Sequence, residues 1–335
     1  MKKVTIRDVA EFAGVSPKTV SNVIHNRPSV SAETRKKVEE AIEVLGFRTG
    51  ASAQEQRSRQ ERFLAAVIPD VENAFFTAVV RGIEDFAFEA GYQMLLCDTG
   101  DSAEREGELV RVMCKGAASG VILCAADEAL FDQHVRLIKK AGMEVVAFDR
   151  APEDAGVDTL FAENFEGSYT AVEHLIRAGH RRIGIIALPD TLTTGRERVA
   201  GYCKALEDAG LPVDERLIQR SDLRHVTPQY AARNLLNLEN PPTAIFVSNG
   251  PSACGTMEVL RASGLKIPKD MAVIQFDDSE WARMVDTPLT VIDQPAYEMG
   301  RMAAELLLKR LADPDAPLQK IRVPVNFIHR NSCCI

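Results

Sequence analysis

Residues 4–35 contain the pattern that decides how this chain begins folding: VTIRDVAEFAGVSPKTVSNVIHNRPSVSAETR. Thr5 and Asp8 have the spacing of a capping pair, which predicts a short helix ending near residue 12. Gly14 interrupts the helical periodicity. Ser16 followed by Pro17 then predicts a second helix, to about residue 24, because a hydroxyl caps it and proline tolerates the first helical position.

A third helix is expected from Ser31, with Val38, Ile42 and Leu45 facing inward and Gly46 ending it. Two short helices joined by a glycine turn and supported by a third form the helix-turn-helix pattern. An interaction domain whose polar second helix merely faces water is the alternative.

In a helix-turn-helix, the second helix presents its polar side chains to DNA. Lys18 can donate to guanine O6 and N7, and Asn22 can pair with adenine N6 and N7. The side chains that this helix would direct at DNA, or place beside its backbone, are Pro17, Lys18, Thr19, Ser21, Asn22 and Asn26.

Charge is divided unevenly along the 335 residues, a length that predicts about two domains. The whole chain has a net charge of −8, which alone argues against a nucleic-acid binder. Residues 1–62, however, hold 12 basic and 8 acidic side chains, a net charge of +4, which leaves −12 for the remainder. This division predicts a basic N-terminal domain that binds a polyanion and an acidic remainder with a different function.

Cysteine and histidine usage indicates a reduced, metal-free protein. The seven cysteines are an odd number without ligand spacing, so core thiols in a cytoplasmic protein are expected. The adjacent Cys333 and Cys334 are either a redox pair or part of a frayed tail. No signal-peptide pattern and no apolar run of about 18 residues is present, so no membrane association is expected.

From residue 63 onward, strand-like and helix-like segments alternate, which predicts parallel α/β sheets. The expected strands are 63–68, 93–97, 120–125, 144–148, 159–162, 182–188, 244–248, 272–276 and 289–292. This stretch is too long for one doubly wound sheet, so two lobes with a cleft between them are expected. Parallel sheets bind ligands at the carboxyl ends of their strands.

Polar residues at those strand ends are the candidates for ligand binding. Asp149 and Arg150 follow one strand, Asn249 and Asp277 follow two others, and Arg198 lies near a helix start. Carboxylates, an amide and a guanidinium suit vicinal hydroxyl groups, and Phe75 or Phe76 suits the apolar face of a sugar ring. The alternative is that these groups are helix caps and surface ion pairs.

The same segments resemble the LacI/GalR family of bacterial transcription regulators. The matching residues are 4–10, 13–16, 19–21, 30–35, 73–76, 148–150, 196–202 and 293–295. The resemblance implies a headpiece at residues 1–47, a hinge at 48–62, and an effector and dimerisation domain at 63–335. That domain would resemble a periplasmic sugar-binding protein, with an N-lobe of about 63–161 and 293–325 and a C-lobe of about 162–292.

The resemblance also implies further site residues. For DNA they are Thr5, Ser16, Arg35, Ala53 and Gln56; for the effector they are Asn73, Leu223 and Gln294, with Arg198 as the main ligand arginine. Gln56 stands where the family has a leucine wedge for the minor groove, so a weaker operator kink, or backbone contacts from Arg57 and Arg59, is expected. The chain departs from the family pattern at Gly250 and Gln275. A simple pentose or hexose is the default expectation for the effector, and a phosphorylated or acidic sugar derivative is the alternative.

These inferences together predict an α/β protein with a three-helix headpiece and a two-lobed, doubly wound effector domain. The predicted function is a ligand-responsive repressor of carbohydrate uptake or catabolism genes. It would act as a homodimer on a near-palindromic operator, with no cofactor and no enzymatic activity, since no catalytic motif is present. A cytosolic sugar-binding or sugar-processing protein with an accessory helical head is the alternative.

Overall fold

The computed structural model describes residues 4–24, 27, 30–45, 63–116, 118–222 and 225–333. The chain divides into two compact units, residues 1–62 and residues 63–335. The first is helical and the second is α/β, so the predicted fold class is confirmed.

The first unit contains the three predicted helices. They are α1 (Ile6–Ala13), α2 (Pro17–Ile24) and α3 (Ala32–Leu45). A capping box begins α1, since Thr5 Oγ1 accepts from the Asp8 amide at 3.4 Å and Asp8 Oδ2 accepts from the Thr5 amide at 2.6 Å. Gly14 ends α1 with a φ of 65°, a left-handed conformation that favours glycine. The buried core is Val9, Ala10, Val20, Val23, Val38 and Ala41.

The second unit contains two sheets. Its strands are β1 (Phe63–Ile68), β2 (Gln93–Asp98), β3 (Gly120–Leu123), β4 (Glu144–Phe148), β5 (Asp158–Ala162), β6 (Ile183–Ala187), β7 (Ile218–Arg220), β8 (Ala244–Val247), β9 (Ala272–Phe276), β10 (Thr290–Asp293), β11 (Lys320–Val323) and β12 (Asn326–Ile328). Its helices are α4 (Ala74–Glu89), α5 (Ala103–Met113), α6 (Phe131–Lys140), α7 (Asn164–Arg177), α8 (Thr193–Asp208), α9 (Pro228–Leu236), α10 (Gly250–Ala262), α11 (Glu280–Met284) and α12 (Ala296–Ala312). No helix within the described ranges is both long and apolar enough to cross a bilayer.

Each sheet belongs to one lobe, and the two sheets have the same strand arrangement. The N-lobe sheet has the order β11-β5-β4-β3-β1-β2, with every neighbouring pair parallel. The C-lobe sheet has the order β12-β10-β9-β8-β6-β7, and only β12 is antiparallel to its neighbour. Strand β4 therefore occupies the place in the N-lobe that β9 occupies in the C-lobe. The chain passes between the lobes three times, after β5, β10 and β11.

The central strands match their predicted positions to within a few residues, whereas three edge strands were not predicted. These are β7, β11 and β12, which are short and half exposed and therefore lack an apolar run. The helix predicted at 196–209 begins earlier, at Thr193. Strand β10 extends to Asp293, where the predicted second N-lobe segment begins.

Helices α4 and α12 cross at two glycines on the same face of the N-lobe sheet. A Cβ atom on Gly82 would lie 2.0 Å from the Tyr297 carbonyl oxygen, and one on Gly300 would lie 2.0 Å from the Val79 carbonyl oxygen. Both clashes are with backbone, so only glycine permits this close approach. The crossing positions the start of α4, which lies beside the site described next.

Candidate functional site

Two aspartates stand at matching strand ends of the two lobes. Asp149 follows β4 and Asp277 follows β9, with φ angles of 59° and 73°. The left-handed region is uncommon for residues other than glycine, although aspartate visits it more readily than most. Both side chains are buried, at the sheet edge where parallel α/β folds bind ligands.

Asp277 joins three segments of the chain. Its Oδ1 accepts a hydrogen bond of 2.6 Å from Gln294 Nε2, and its Oδ2 accepts one of 3.3 Å from the Gly250 amide. Its carbonyl oxygen accepts a bond of 2.7 Å from Gln275 Nε2. Gln294 lies in the second passage between the lobes, so this network connects that passage to the C-lobe sheet and to the start of α10.

Arg198 is a buried cation held by neutral groups of the C-lobe. Its Nε donates to Asn164 Oδ1 at 2.8 Å, and its Nη1 donates to the Ser248 carbonyl oxygen. Its guanidinium carbon lies 3.7 Å from the centroid of the Phe276 ring, a cation–π contact. Burial lowers the pKa of Arg198, and the charges of Asp277 and Asp149 oppose that shift.

On the N-lobe side, Arg150 lies beside an aromatic cluster. Its Nη1 donates to Asp101 Oδ1 at 2.7 Å, and its guanidinium carbon lies 5.7 Å from the centroid of the Phe76 ring. Phe75 stacks on Phe148 with 6.0 Å between ring centroids. Phe76 is only 2% exposed, so its ring is part of the lobe core as well as of the pocket wall.

Five buried polar atoms from both lobes converge without a hydrogen-bond partner. They are Asp149 Oδ1, Arg150 Nε, Thr194 Oγ1, Asn249 Nδ2 and Gln294 Oε1. An unsatisfied buried polar atom costs roughly 1–3 kcal/mol, so folded proteins rarely retain one without a ligand or water to satisfy it. All five residues line one space between the lobes, here called the inner pocket.

Burial also controls the ionisation of Asp149. Loss of solvent raises its pKa from 3.8 to about 6, and the neighbouring Arg150 and Arg198 limit the rise by favouring the carboxylate. A carboxyl group of this kind can both accept and, when protonated, donate a hydrogen bond near neutral pH.

The inner pocket adjoins a much larger space, here called the outer cleft, with which it shares four lining residues. The inner pocket has a volume of about 20 Å³, enough for roughly one water molecule. The outer cleft has a volume of about 560 Å³, within the range of about 300–1,000 Å³ typical of small-molecule sites. Asn73, Phe75, Asp277 and Gln294 line both spaces, and Trp281 lines the outer cleft.

A second set of polar contacts joins the lobes around Glu128, which lies between β3 and α6. Its carboxylate accepts bonds from the Thr193 amide at 2.5 Å, from Thr193 Oγ1 at 2.8 Å and from Arg196 Nη2 at 3.0 Å. Thr193 and Arg196 belong to α8 of the C-lobe. Arg322 of β11 pairs with Glu197 of the same helix at 2.6 Å. These contacts hold the lobes together in the described conformation.

In the first unit, Ser16 caps the second helix, because its Oγ accepts from the Thr19 amide at 3.1 Å. The exposed start of α2 presents Pro17 and Lys18 to solvent, whereas Ser21 and Asn22 are half-buried. Arg35 donates from Nη2 to the Arg27 carbonyl oxygen at 3.1 Å, so its guanidinium joins α3 to residue 27.

Comparison with known proteins places this architecture in a family. The model "Bacterial regulatory proteins, lacI family" matches residues 5–50, and the model "Periplasmic binding protein-like domain" matches residues 172–333. HTH-type transcriptional repressors PurR from Vibrio atlanticus and Vibrio campbellii are 31% and 32% identical over 333 residues, covering 98% of this chain and 98% of each relative. The chain belongs to the lacI family of bacterial regulatory proteins.

Solved structures of lacI-family regulators share the same fold. The transcriptional regulator CelR in complex with cellobiose is 30% identical, with a TM-score of 0.74, covering 98% of this chain and all of that chain. The lac repressor dimer bound to operator and the anti-inducer ONPF is 27% identical, with a TM-score of 0.71 and complete coverage of both chains. The predicted family is confirmed, and its helix-turn-helix marks this chain as a DNA-binding transcription regulator.

For this lacI-family chain, the structure brings most of the predicted effector residues together. Those that line the inner pocket are Asn73, Phe75, Phe76, Asp149, Arg150, Arg198, Asn249, Asp277 and Gln294. Two of these side chains are also helix caps, as the alternative interpretation of the strand-end residues expected. Asn73 Oδ1 caps α4, and Asn249 Oδ1 caps α10. Their role in ligand binding stays a prediction. Several predictions concern residues outside the described ranges: Asn26, Gly46, the hinge at 48–62 with Ala53, Gln56, Arg57 and Arg59, and Leu223.

The sequence did not indicate several groups that shape the pocket. Thr194 lines it, Asn164 and Ser248 hold Arg198, and Glu128 joins the lobes. Of these, only Thr194 could have been proposed from the local sequence, since it lies at the polar helix start that follows β6. Asn164 and Glu128 become recognisable only once the two lobes are packed together.

Proposed function

We propose that this chain is a repressor whose affinity for a near-palindromic operator is controlled by a neutral, polyhydroxylated small molecule. The ligand is a sugar or sugar derivative, and it binds between the lobes of a homodimer's subunits. The observation that carries the proposal is the convergence of five unpartnered polar atoms in the inner pocket, on Asp149, Arg150, Thr194, Asn249 and Gln294. Such a set of donors and acceptors suits hydroxyl groups.

The charges around the inner pocket favour a neutral ligand over a phosphorylated one. Two carboxylates, Asp149 and Asp277, face two guanidinium groups, Arg150 and Arg198, so their formal charges cancel. Arg150 is further neutralised by Asp101 at 2.7 Å. No excess positive charge is left to bind a phosphate group. Of the two options left by the sequence, the simple sugar is therefore the better supported.

The volumes indicate how the ligand would reach these atoms. A pocket of about 20 Å³ cannot hold a sugar ring, whereas the adjoining outer cleft of about 560 Å³ can. We infer that the ligand enters through the outer cleft and that the lobes separate around the inner pocket as it binds. Because ligand binding then favours one lobe arrangement, it can shift operator affinity by its different affinity for the two arrangements.

The relatives support regulation over catalysis. The PurR relatives are transcriptional repressors and CelR is a transcriptional regulator. The structure of CelR contains cellobiose, and that of the lac repressor contains the anti-inducer ONPF and operator DNA. The alternative, a sugar-processing protein with a helical head, requires turnover of the ligand. A truncated chain of residues 63–335, a compact unit, separates the proposals. It should bind the ligand without consuming it and should lose duplex DNA binding.

The direct experiment is a thermal-shift screen of the full chain against neutral sugars and their phosphates. A ligand that binds the folded state raises the melting temperature by mass action. We expect a neutral sugar to give the shift and Arg198→Met to abolish it while operator affinity without ligand stays within about threefold. Lys204→Met, an exposed site on the same helix α8, is the matched control and should keep the full shift. A preference for phosphates, or an unchanged shift in Arg198→Met, would contradict the proposal.

A further inference from the structure

A cluster of two imidazoles and a thiol lies in the C-lobe, outside the inner pocket. His174 belongs to α7, whereas His329 and Cys333 follow β12. Cys333 Sγ lies 3.3 Å from His174 Nε2, and one donor atom from each residue lies within 4.8 Å of the other two. Across the described ranges, this is the only group of three or more His, Cys, Asp or Glu side chains with such geometry.

The distances are close to those that one metal ion imposes on its ligands. A tetrahedral zinc ion lies about 2.3 Å from sulfur and about 2.0 Å from nitrogen, which separates the two ligand atoms by about 3.5 Å. The pair formed by Cys333 and His174 is already near that separation. His329 must approach by roughly 1–1.5 Å. Its side chain is exposed, and its ring centroid lies 5.1 Å from that of His174 and 6.4 Å from that of Phe327.

The chain holds the thiol in place independently of any ion. Ser332 Oγ accepts a bond of 2.8 Å from the Thr290 amide, and the Ser332 carbonyl accepts one of 2.8 Å from the Val273 amide. Cys333, which is buried, therefore has a fixed backbone. Such prior ordering reduces the entropy that is lost when an ion binds.

The donor set of this cluster, two imidazoles and a thiol, indicates which ions it suits. Imidazole and thiolate together select borderline-soft ions such as zinc and cobalt over magnesium and calcium.

We propose that His174, His329 and Cys333 bind a divalent transition-metal ion, with one position of the tetrahedron open to solvent. The ion would fasten the segment after β12 to α7. That segment also carries Arg330, which pairs at 2.6 Å with Asp278 in the wall of the outer cleft. The site therefore lies one residue from a contact of the ligand cleft, and it is separate from the proposed effector site.

The test is a Co²⁺ titration of the full chain, reduced, metal-free and without a histidine tag. Binding should produce a thiolate-to-cobalt charge-transfer band and the intense visible bands of tetrahedral cobalt. Cys333→Ser should remove the charge-transfer band. His329→Gln, at an exposed position where folding is not at risk, should weaken Co²⁺ binding by more than the roughly 10–100-fold that loss of an outer-shell partner costs.

Two cysteine controls make the result specific. Cys203→Ser, a half-buried thiol of α8, should leave the spectrum unchanged. Cys334→Ser tests the neighbouring thiol, which lies outside the described residues, and should keep the band. The proposal is overturned if the wild-type chain gives no charge-transfer band, if Cys333→Ser retains it, or if His329→Gln binds Co²⁺ as tightly as the wild type.

Discussion

Asp149 and Asp277 are equivalent residues of the two lobes: each follows the third strand of its sheet order, and each has a left-handed backbone. Their environments nevertheless differ. Asp277 receives hydrogen bonds from Gln294 and the Gly250 amide, whereas one oxygen of Asp149 has no partner. The same backbone geometry thus supplies one carboxylate that organises the pocket through two hydrogen bonds and one carboxylate with an unpartnered oxygen on the pocket lining.

The raised pKa of Asp149 should make folding stability depend on pH in a definite direction. Because its folded pKa of about 6 exceeds the ordinary 3.8, the folded state binds the proton more tightly. The contribution is fully present below pH 3.8 and is lost as the pH rises to about 6. The difference corresponds to about 3 kcal/mol.

Asp149→Asn should therefore gain stability relative to the wild type between pH 4 and 6.5, as measured by urea unfolding of the ligand-free chain. Asp154→Asn, at a side chain that is 99% exposed, should show a constant difference from the wild type. Parallel curves for Asp149→Asn and the wild type would show that this carboxyl group does not have a raised pKa.

Removal of the Glu128 carboxylate should destabilise residues 63–335. Glu128→Ala leaves the Thr193 amide and the Arg196 guanidinium without their acceptor between the lobes. We expect a loss of about 1–3 kcal/mol in the free energy of unfolding, measured with urea. The control Glu173→Ala removes an exposed pair with Arg177 and should cost less than about 0.5 kcal/mol. Equal losses would mean that Glu128 contributes no more than a surface charge.

Glycine substitutions should have opposite effects at two helical positions of the N-lobe. Gly82→Ala brings a methyl group 2.0 Å from the Tyr297 carbonyl oxygen, so α4 and α12 must separate. We expect the free energy of unfolding to fall by about 3 kcal/mol or more. In α5, the Cβ atom of Gly107→Ala would meet no atom closer than 3.5 Å. This substitution should raise the free energy of unfolding by about 0.5–1 kcal/mol. Melting temperatures of the two variants would distinguish them, and a neutral Gly82→Ala would contradict the described crossing.

Lys18 should determine preference at one base position of the operator. Its exposed side chain lies at the start of α2. Lys18→Ala should therefore weaken the free energy of operator binding by about 1–3 kcal/mol when the preferred base is present, and by little when another base replaces it. Selection from a random duplex library, followed by titration of single-base variants, measures this. Lys37→Ala, which removes an exposed α3 side chain paired with Glu33, should leave base preference unchanged. A uniform loss across all sequences would assign Lys18 to a phosphate contact instead.

Local pattern was sufficient to predict the helices of the first unit and the central strands of both sheets. The capping pair of Thr5 and Asp8, for example, is formed as its spacing indicated. Edge strands were missed because β11 and β12 depend on pairing with distant partners rather than on their own apolar content.

The pocket was foreseen where chemistry follows directly from strand ends, as at Asp149 and Asp277. Contacts such as Glu128 with Thr193, or His174 with Cys333, join residues far apart in sequence that share no motif. No spacing rule connects them, because only the packed lobes bring them together.

The triple passage of the chain between the lobes also has a consequence for synthesis. The N-lobe sheet gains its edge strand from residues 320–323, and the C-lobe sheet gains its own from residues 326–328. Neither lobe is thus complete until these late residues leave the ribosome, whereas the three helices of the first unit need only the first 45. During translation, the helix-turn-helix unit can therefore fold well before residues 63–335. The nascent chain can recognise DNA before it can respond to a ligand.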